Sequence, residues 1–133
     1  MVISLTWSLI VASTQRKQVV DITDLVARQL PAGSGVCHVF VAHTTAAVTT
    51  ADLDPGTDLD MLDAFAAMMP KLAYRHPHNP DHVADHILAS IIGPSVSVPF
   101  ADGKLRLGTW QRVVLIELDG PRERDVVVTC AAA

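Results

Sequence analysis

Apolar and polar residues alternate in both halves of the chain, a pattern typical of β-strands that bury one face. In the first part of the chain this pattern predicts strands over residues 3–12, 18–22, 36–42 and 46–50. In the last third it predicts four more, over residues 95–100, 104–107, 112–118 and 125–130. Strands 36–42 and 46–50 are separated by a short polar interruption, His43-Thr44-Thr45.

Apolar residues recur every three to four positions in the segments between these strands, which predicts three helices. The first spans residues 23–30, with Asp21 or Thr23 as its cap. The second is capped by Thr57 and stops at Pro70, and the third is capped by Asn79 and closes at residue 93.

Two Asp-Gly pairs mark turns in the last third of the chain. Asp102-Gly103 predicts a tight hairpin, and Asp119-Gly120-Pro121 predicts a second one. Strands at both ends with helices between them predict an α+β fold, arranged as two layers with a mostly antiparallel sheet. The sequence has 133 residues and contains no linker or internal repeat, so it predicts a single domain over residues 1–133.

Composition narrows the choice of partners and compartment. Half of the residues are hydrophobic, but no apolar stretch approaches the roughly 20 residues that cross a bilayer, so we expect no membrane partner. A net charge of −4 without a basic stripe argues against nucleic acid. The first residues lack the basic segment of a secretory signal, so we expect a cytoplasmic protein. Cys37 and Cys130, in alternating apolar runs, are expected to be buried thiols.

Histidines supply the candidate chemistry, because imidazole exchanges protons near neutral pH and binds metals. His43 follows a buried strand, which would hold its ring rigidly; alternatively, a backbone group merely satisfies the ring. His82 and His86 are four residues apart on the third helix, a spacing that can seat a metal ion but is also common on solvated faces. His76 lies in a loop stiffened by prolines.

A polar run and an acidic turn complete the candidates. Glycine in Gly108-Thr109-Trp110-Gln111 interrupts a strand pattern, which indicates a bulge or a close backbone approach to a ligand. Threonine, tryptophan and glutamine there offer hydrogen bonds and a flat wall, although a bulge can be purely architectural. Asp52 and Asp54 precede the second helix, where acids favour the helix dipole; a cation-binding or basic role is the alternative.

Nine short motifs follow one another along nearly the whole chain. They are His43-Thr44-Thr45-Ala46-Ala47, Asp54-Pro55, Tyr74-x-His76, His86-Ile87, Ala89-Ser90, Gly93-Pro94-Ser95, Asp102-Gly103-Lys104, Gly108-Thr109-Trp110-Gln111 and Asp119-Gly120-Pro121-Arg122. In this order and with these spacings the chain resembles the YjbQ family, whose members are often labelled secondary thiamine-phosphate synthases.

The resemblance implies a fold, an assembly and a site. The fold would be a sandwich of mostly antiparallel sheets with about three helices, assembled as a homotrimer. The labelled reaction joins a hydroxymethylpyrimidine pyrophosphate to a thiazole phosphate and releases pyrophosphate, which needs donors or cations around the leaving group. The resemblance implies that His43, His76 and His86 are the catalytic residues. The expected substrate-binding residues are Asp52, Ser90, Ser95, Thr109, Trp110 and Gln111.

Two other interpretations stay open. The protein could be a trimer that binds a metal or an anion without catalysis, with zinc, magnesium or manganese held by His43, His76 and His86. His82 stands where the family usually has asparagine, and could add a ligand. A family lysine is replaced by Leu88, which removes one possible anion contact. A plain assembly module without a site would leave the histidines unexplained.

Overall fold

The computed structural model describes residues 3–75 and 83–132. Within them the chain forms eight strands and three helices, in the order β1 (Ile3–Ala12), β2 (Gln18–Asp21), α1 (Thr23–Ala27), β3 (Ser34–Val41), β4 (Ala46–Asp52), α2 (Thr57–Met68), α3 (Val83–Ile92), β5 (Ser95–Ala101), β6 (Lys104–Leu105), β7 (Gln111–Glu117) and β8 (Glu123–Ala132). None of these described helices is long and apolar enough to span a membrane.

The strands form two sheets. Five strands lie in the order β1-β8-β3-β5-β6, and three lie in the order β2-β7-β4. All the strand pairs within the described residues are antiparallel. The predicted α+β fold with antiparallel sheets is confirmed.

The hydrophobic core lies between the two sheets, and a third layer covers one of them. Inward residues of both sheets, such as Val39 and Leu115, pack in one buried cluster. The opposite face of the three-stranded sheet packs against α2 and α3, where Ile116 meets Leu88. Strand β7 is therefore buried on both faces, which explains its unbroken apolar run. The arrangement has three layers, one more than the two predicted.

The two Asp-Gly turns differ in what they connect. Asp102 and Gly103 both have positive φ, 54° and 73°, as the predicted hairpin turn between β5 and β6 requires. Residues 118–122 join β7 to β8, and these strands belong to different sheets. The second turn is thus a crossover, and the predicted hairpin there is wrong, because a local turn signal does not specify the sheet that the next strand joins.

Helix boundaries also depart from the sequence prediction. Gly56, with φ +91°, occupies the N-cap position of α2, so Thr57 is its first residue and makes no side-chain cap. Before α1, the Asp21 carboxylate accepts hydrogen bonds from Thr23 N (3.0 Å) and Oγ1 (2.7 Å), as a local cap. Helix α1 ends at Ala27, three residues early. The predicted cap of the third helix at Asn79 lies outside the described residues.

Three crossovers between the sheets meet at one end of the sandwich, which we call the crossover end: residues 13–17, 42–45 and 118–122. Backbone hydrogen bonds tie them together, from Ser13 N to Arg122 O (2.9 Å) and from Leu118 N to Thr45 O (3.1 Å). The polar interruption predicted between β3 and β4, His43-Thr44-Thr45, therefore lies in a loop at this end that backbone hydrogen bonds hold in place.

Candidate functional site

A cavity of about 390 Å³ at the crossover end brings together part of the predicted site. It is lined by His43, Thr44, Ala46, His86, Ala89, Ser90 and Pro94, and we call it the histidine pocket. Two of the three expected catalytic histidines, His43 and His86, thus share one cavity with Ser90. His76 and His82 lie outside the described residues.

The two histidines reach the pocket from different layers. His43 lies in the crossover between β3 and β4, two residues after the last residue of a strand whose inward residues are fully buried. His86 lies on α3, which is anchored by Leu88 and Ala89 against the three-stranded sheet. Both rings are half-buried, so each is held by packing on one side while it remains accessible to a ligand.

A backbone hydrogen bond fixes the His43 ring. The N–H of Asp125 donates to His43 Nε2 at 3.1 Å. A nitrogen that accepts a hydrogen bond carries no proton, so the neutral ring has its proton on Nδ1. One alternative from the sequence was that a backbone group satisfies the His43 ring, and the structure contains such a contact. Because this contact uses Nε2, Nδ1–H is the donor that a ligand can use.

A buried ion pair lies beside this loop, and the sequence interpretation missed it. Arg124 and Glu117 are 1% and 0% exposed, and Arg124 Nε lies 2.9 Å from Glu117 Oε1. Arg124 also donates to the carbonyl and hydroxyl of Thr45, at 3.2 and 2.9 Å. The available signal was a charged residue on each of two strands, at a position whose buried neighbours along the strand are all apolar.

The remaining polar atoms of Glu117 are also satisfied. Ser13 Oγ donates to Oε1 at 2.7 Å, and the Asp119 backbone N–H donates to Oε2 at 3.1 Å. Burial raises the pKa of Glu117, but the hydrogen bonds from Arg124, Ser13 and Asp119 outweigh it and hold that pKa below its ordinary value. The pair is fully compensated and serves to position the crossovers around it.

The two predicted serines are placed differently. Ser90 lines the histidine pocket, but its hydroxyl donates to the Ile87 carbonyl at 2.9 Å. The Ser90 side chain would therefore have to rotate before its hydroxyl could donate a hydrogen bond to an anion. Ser95 begins β5, one residue after Pro94, and is not among the described residues that line the pocket.

The Gly108–Gln111 run forms a separate site. It makes a β-turn, closed by Gln111 N to Gly108 O (3.1 Å), and the Gln111 side chain binds Gly108 N and Thr50 Oγ1. A Cβ at position 108 would meet Gln111 at an ordinary 3.5 Å, so no close backbone approach within the chain requires glycine. Trp110 is 70% exposed.

A cavity of about 220 Å³ lies beside this turn. It is lined by Asp21, Asp52, Leu53, Asp54, Thr109, Trp110 and Arg112, and we call it the tryptophan pocket. Ala46 lines the histidine pocket and Asp52 the tryptophan pocket, six residues apart on β4. At about 3.4 Å per residue the two pockets are roughly 20 Å apart. One chain therefore does not bring Thr109, Trp110 and Gln111 to the histidines.

The described residues do not supply a complete metal site. No group of three or more histidine, cysteine, aspartate or glutamate side chains among them is arranged to hold a metal ion. His43 could coordinate through Nε2 only by releasing the Asp125 N–H. The described part of the histidine pocket fits a hydrogen-bond acceptor better than a metal.

Comparisons with known proteins agree with this fold. The sequence profile of the UPF0047 protein YjbQ-like family matches residues 8–133. A UPF0047 protein of Mycobacterium tuberculosis is 42% identical over 114 residues, covering 82% of this chain and 86% of that protein. A YbjQ-like protein of unknown function from Sulfolobus solfataricus P2 superposes with a TM-score of 0.91 at 31% identity, with 100% of both chains covered. A hypothetical protein from Aeropyrum pernix K1 gives 0.85 at 34% identity, covering 97% and 99%. The chain belongs to the YjbQ-like UPF0047 family.

Proposed function

We propose that the histidine pocket binds a small phosphorylated or anionic molecule. The observation that carries this proposal is the chemistry of its described lining: two imidazoles and two hydroxyl-bearing residues, with no carboxylate. The described lining of the tryptophan pocket has three aspartates against one cation, Arg112, which is already paired with Asp21, so this pocket would repel an anion. Donors such as His43 Nδ1–H stabilise negative charge most effectively in a partly desolvated cavity.

We further propose that this pocket supports a thiamine-phosphate synthase type of transfer as a secondary activity. The ring nitrogen of a thiazole phosphate attacks the exocyclic carbon of a hydroxymethylpyrimidine pyrophosphate. A carbon–nitrogen bond forms while the carbon–oxygen bond breaks, and pyrophosphate leaves with the electron pair. His43 donates through Nδ1 to the leaving oxygens, and His86 donates from the facing helix.

Substitution of His86 tests this proposal. We expect His86→Ala to lower the yield of thiamine phosphate from the two precursors at least about tenfold, and to weaken pyrophosphate binding in calorimetry, since a donor to a charged group is lost. Ile91→Ala is the matched control, because Ile91 is an exposed residue of the same helix that does not line the pocket. A His86→Ala protein with wild-type yield and wild-type pyrophosphate binding would exclude this function.

Metal binding is the second candidate, supported by the two imidazoles that face one cavity. Neutral imidazoles suit zinc, and zinc is commonly held by three or four protein ligands, so His76 and His82 would have to complete the set. Metal analysis of the purified protein and melting temperatures with added zinc or manganese test it. If no metal copurifies and neither ion changes the melting temperature, this candidate fails.

We propose that copies of the chain assemble as a trimer through the outward face of the five-stranded sheet. Its outward positions on β3 and β5 carry no acidic residue, lysine or arginine, and Val36 and Phe40 are exposed there. Thr109 and Trp110 line the tryptophan pocket, and Gln111 pairs with Asp52 of β4, six residues from Ala46 of the histidine pocket. All three lie roughly 20 Å from the histidine pocket in one chain, so they can join it only from a neighbouring copy.

Light scattering after size exclusion tests the assembly. We expect a mass of three chains for the wild type and a smaller species for Phe40→Glu, since a buried unpaired charge is unfavourable. Coexpressing His86→Ala with Gln111→Ala chains should restore activity in mixed assemblies if the site is shared. A wild-type monomer would refute the assembly.

A further inference from the structure

A larger cavity, of about 460 Å³, lies on the other side of α3 from the histidine pocket. It opens between α2, α3 and residues 69–74, and we call it the interhelical cavity. Ala84, Asp85 and Leu88 of α3 face it, whereas His86, Ala89 and Ser90 face the histidine pocket. Its volume falls within the roughly 300–1,000 Å³ of pockets that hold small organic ligands. None of the functions proposed above uses it.

The walls of the interhelical cavity are mostly apolar. Helix α2 contributes Leu62 and Phe65, Met69 follows directly after that helix, and α3 contributes Leu88. Leu72 lies at the cavity with 64% of its surface exposed. An apolar ligand body in this cavity would remove such surface from water, which is favourable in proportion to the area covered.

A charged group lies at the inner wall of the cavity. Asp85 is 5% exposed, and its two carboxylate oxygens are paired with Lys17 Nζ and, at 3.3 Å, with an Arg16 guanidinium nitrogen. Lys17 Nζ also donates to the Leu118 carbonyl at 3.2 Å. An ammonium group has three N–H donors, so one donor of Lys17 has no acceptor among the described residues.

The charges around the cavity are unequal. Lys17 and Lys71 line it together with Asp85, and Arg16 holds the second oxygen of that carboxylate. Among the described residues around the cavity, three cations against one carboxylate give a net charge of +2, and the carboxylate is already paired twice. A ligand that enters with a negative group meets an ammonium donor, whereas a cationic ligand meets only repulsion.

We propose that the interhelical cavity is a binding site for a small amphiphile with one anionic head, of the carboxylate class, and an apolar body. The head accepts a hydrogen bond from Lys17, with Lys71 at the mouth, and the body packs between Leu62, Phe65 and Leu88. The site is independent of the histidine pocket, because α3 separates the two and they share no described lining residue.

Calorimetric titration with octanoate tests the proposal, with octylamine as a cation of the same apolar length and acetate as the head alone. We expect one octanoate per chain and no measurable heat from octylamine or acetate. Lys17→Met should weaken octanoate binding about tenfold, since a hydrogen bond to a charged group is lost. Lys71→Met removes the second lysine of the cavity, at an exposed position where folding is not at risk, and should also weaken octanoate binding.

A cavity-filling variant separates binding in the cavity from binding elsewhere. Ala66 lines the cavity, and Ala67 is its exposed neighbour on α2 that does not. Ala66→Phe should weaken octanoate binding at least tenfold, whereas Ala67→Phe should leave it unchanged. Equal binding of octanoate and octylamine, equal affinity of the two phenylalanine variants, or no octanoate binding by the wild type would each overturn the proposal.

Discussion

The backbone N–H of Asp125 donates a 3.1 Å hydrogen bond to Nε2 of His43, although the two residues are 82 positions apart in sequence. The preceding residue, Arg124, is buried against Glu117 and donates to the Thr45 carbonyl and hydroxyl. Two consecutive residues of β8 therefore hold both ends of the His43–Thr45 loop. The orientation of the site histidine depends on this strand more than on the loop's own sequence.

Replacing His43 by alanine separates a chemical role from a structural one. The Asp125 residue is exposed, so water can satisfy its N–H once the ring is gone. We expect His43→Ala to lower the free energy of unfolding by less than about 1 kcal/mol in urea titrations, while it abolishes pyrophosphate binding. A loss of several kcal/mol would show that His43 is chiefly a structural residue.

Removing Arg124 should destabilise the fold strongly. Arg124→Met leaves the carboxylate of Glu117 buried without its main partner, and breaking one side of a buried pair costs about 3–5 kcal/mol. Urea unfolding of the variant measures this loss. The matched control is Arg112→Met, because Arg112 pairs with Asp21 at 2.8 Å but is more than one-third exposed.

The control variant should lose no more than about 1 kcal/mol, the usual contribution of an exposed pair. Equal losses for Arg124→Met and Arg112→Met would contradict a special role for the buried pair. A large loss for Arg124→Met alone, with weakened pyrophosphate binding, would show that the crossovers position the histidine pocket.

The free energy of unfolding should depend on pH through the ionisation of Glu117. Burial raises its pKa, but the bonds from Arg124, Ser13 and Asp119 hold that pKa below its ordinary value of about 4.5. A carboxylate with a lowered folded-state pKa contributes stability above the unfolded pKa and loses it as pH falls through the folded one. In Glu117→Gln this titration is absent.

The difference in unfolding free energy between wild type and Glu117→Gln should therefore be large near neutral pH and shrink below about pH 4.5. Urea titrations of both proteins across this range measure it. A difference that stays constant with pH would mean that ionisation of Glu117 contributes nothing to stability.

The sequence predicted the elements better than their connections. Alternation of apolar residues locates each strand because its period reflects a local backbone geometry. The crossover at residues 118–122 was predicted as a hairpin because the Asp-Gly turn signal is the same whichever sheet follows. The unbroken apolar run of β7 indicates a strand that is buried on both faces, but it does not indicate which helices cover the strand.

The site was predictable only in part. His43 and His86 line one cavity, and their role in it stays a prediction. Long-range packing decides which candidates share a cavity, and so Trp110 lies roughly 20 Å away. The Arg124–Glu117 pair was missed because pairing between inward charges depends on strand register.

The two cysteines offer a test of the sandwich itself. Cys37 and Cys130 are directly opposite each other on β3 and β8, and both are fully buried. Burial raises the pKa of both thiols, so neither forms the reactive thiolate readily. We expect a thiol reagent to leave the native protein unmodified over the time in which it modifies both cysteines of the urea-unfolded chain. An Ala67→Cys variant, with its thiol on the exposed face of α2, should react rapidly at one site. Rapid native labelling of Cys37 or Cys130 would mean that the two sheets open far more often than a packed core allows.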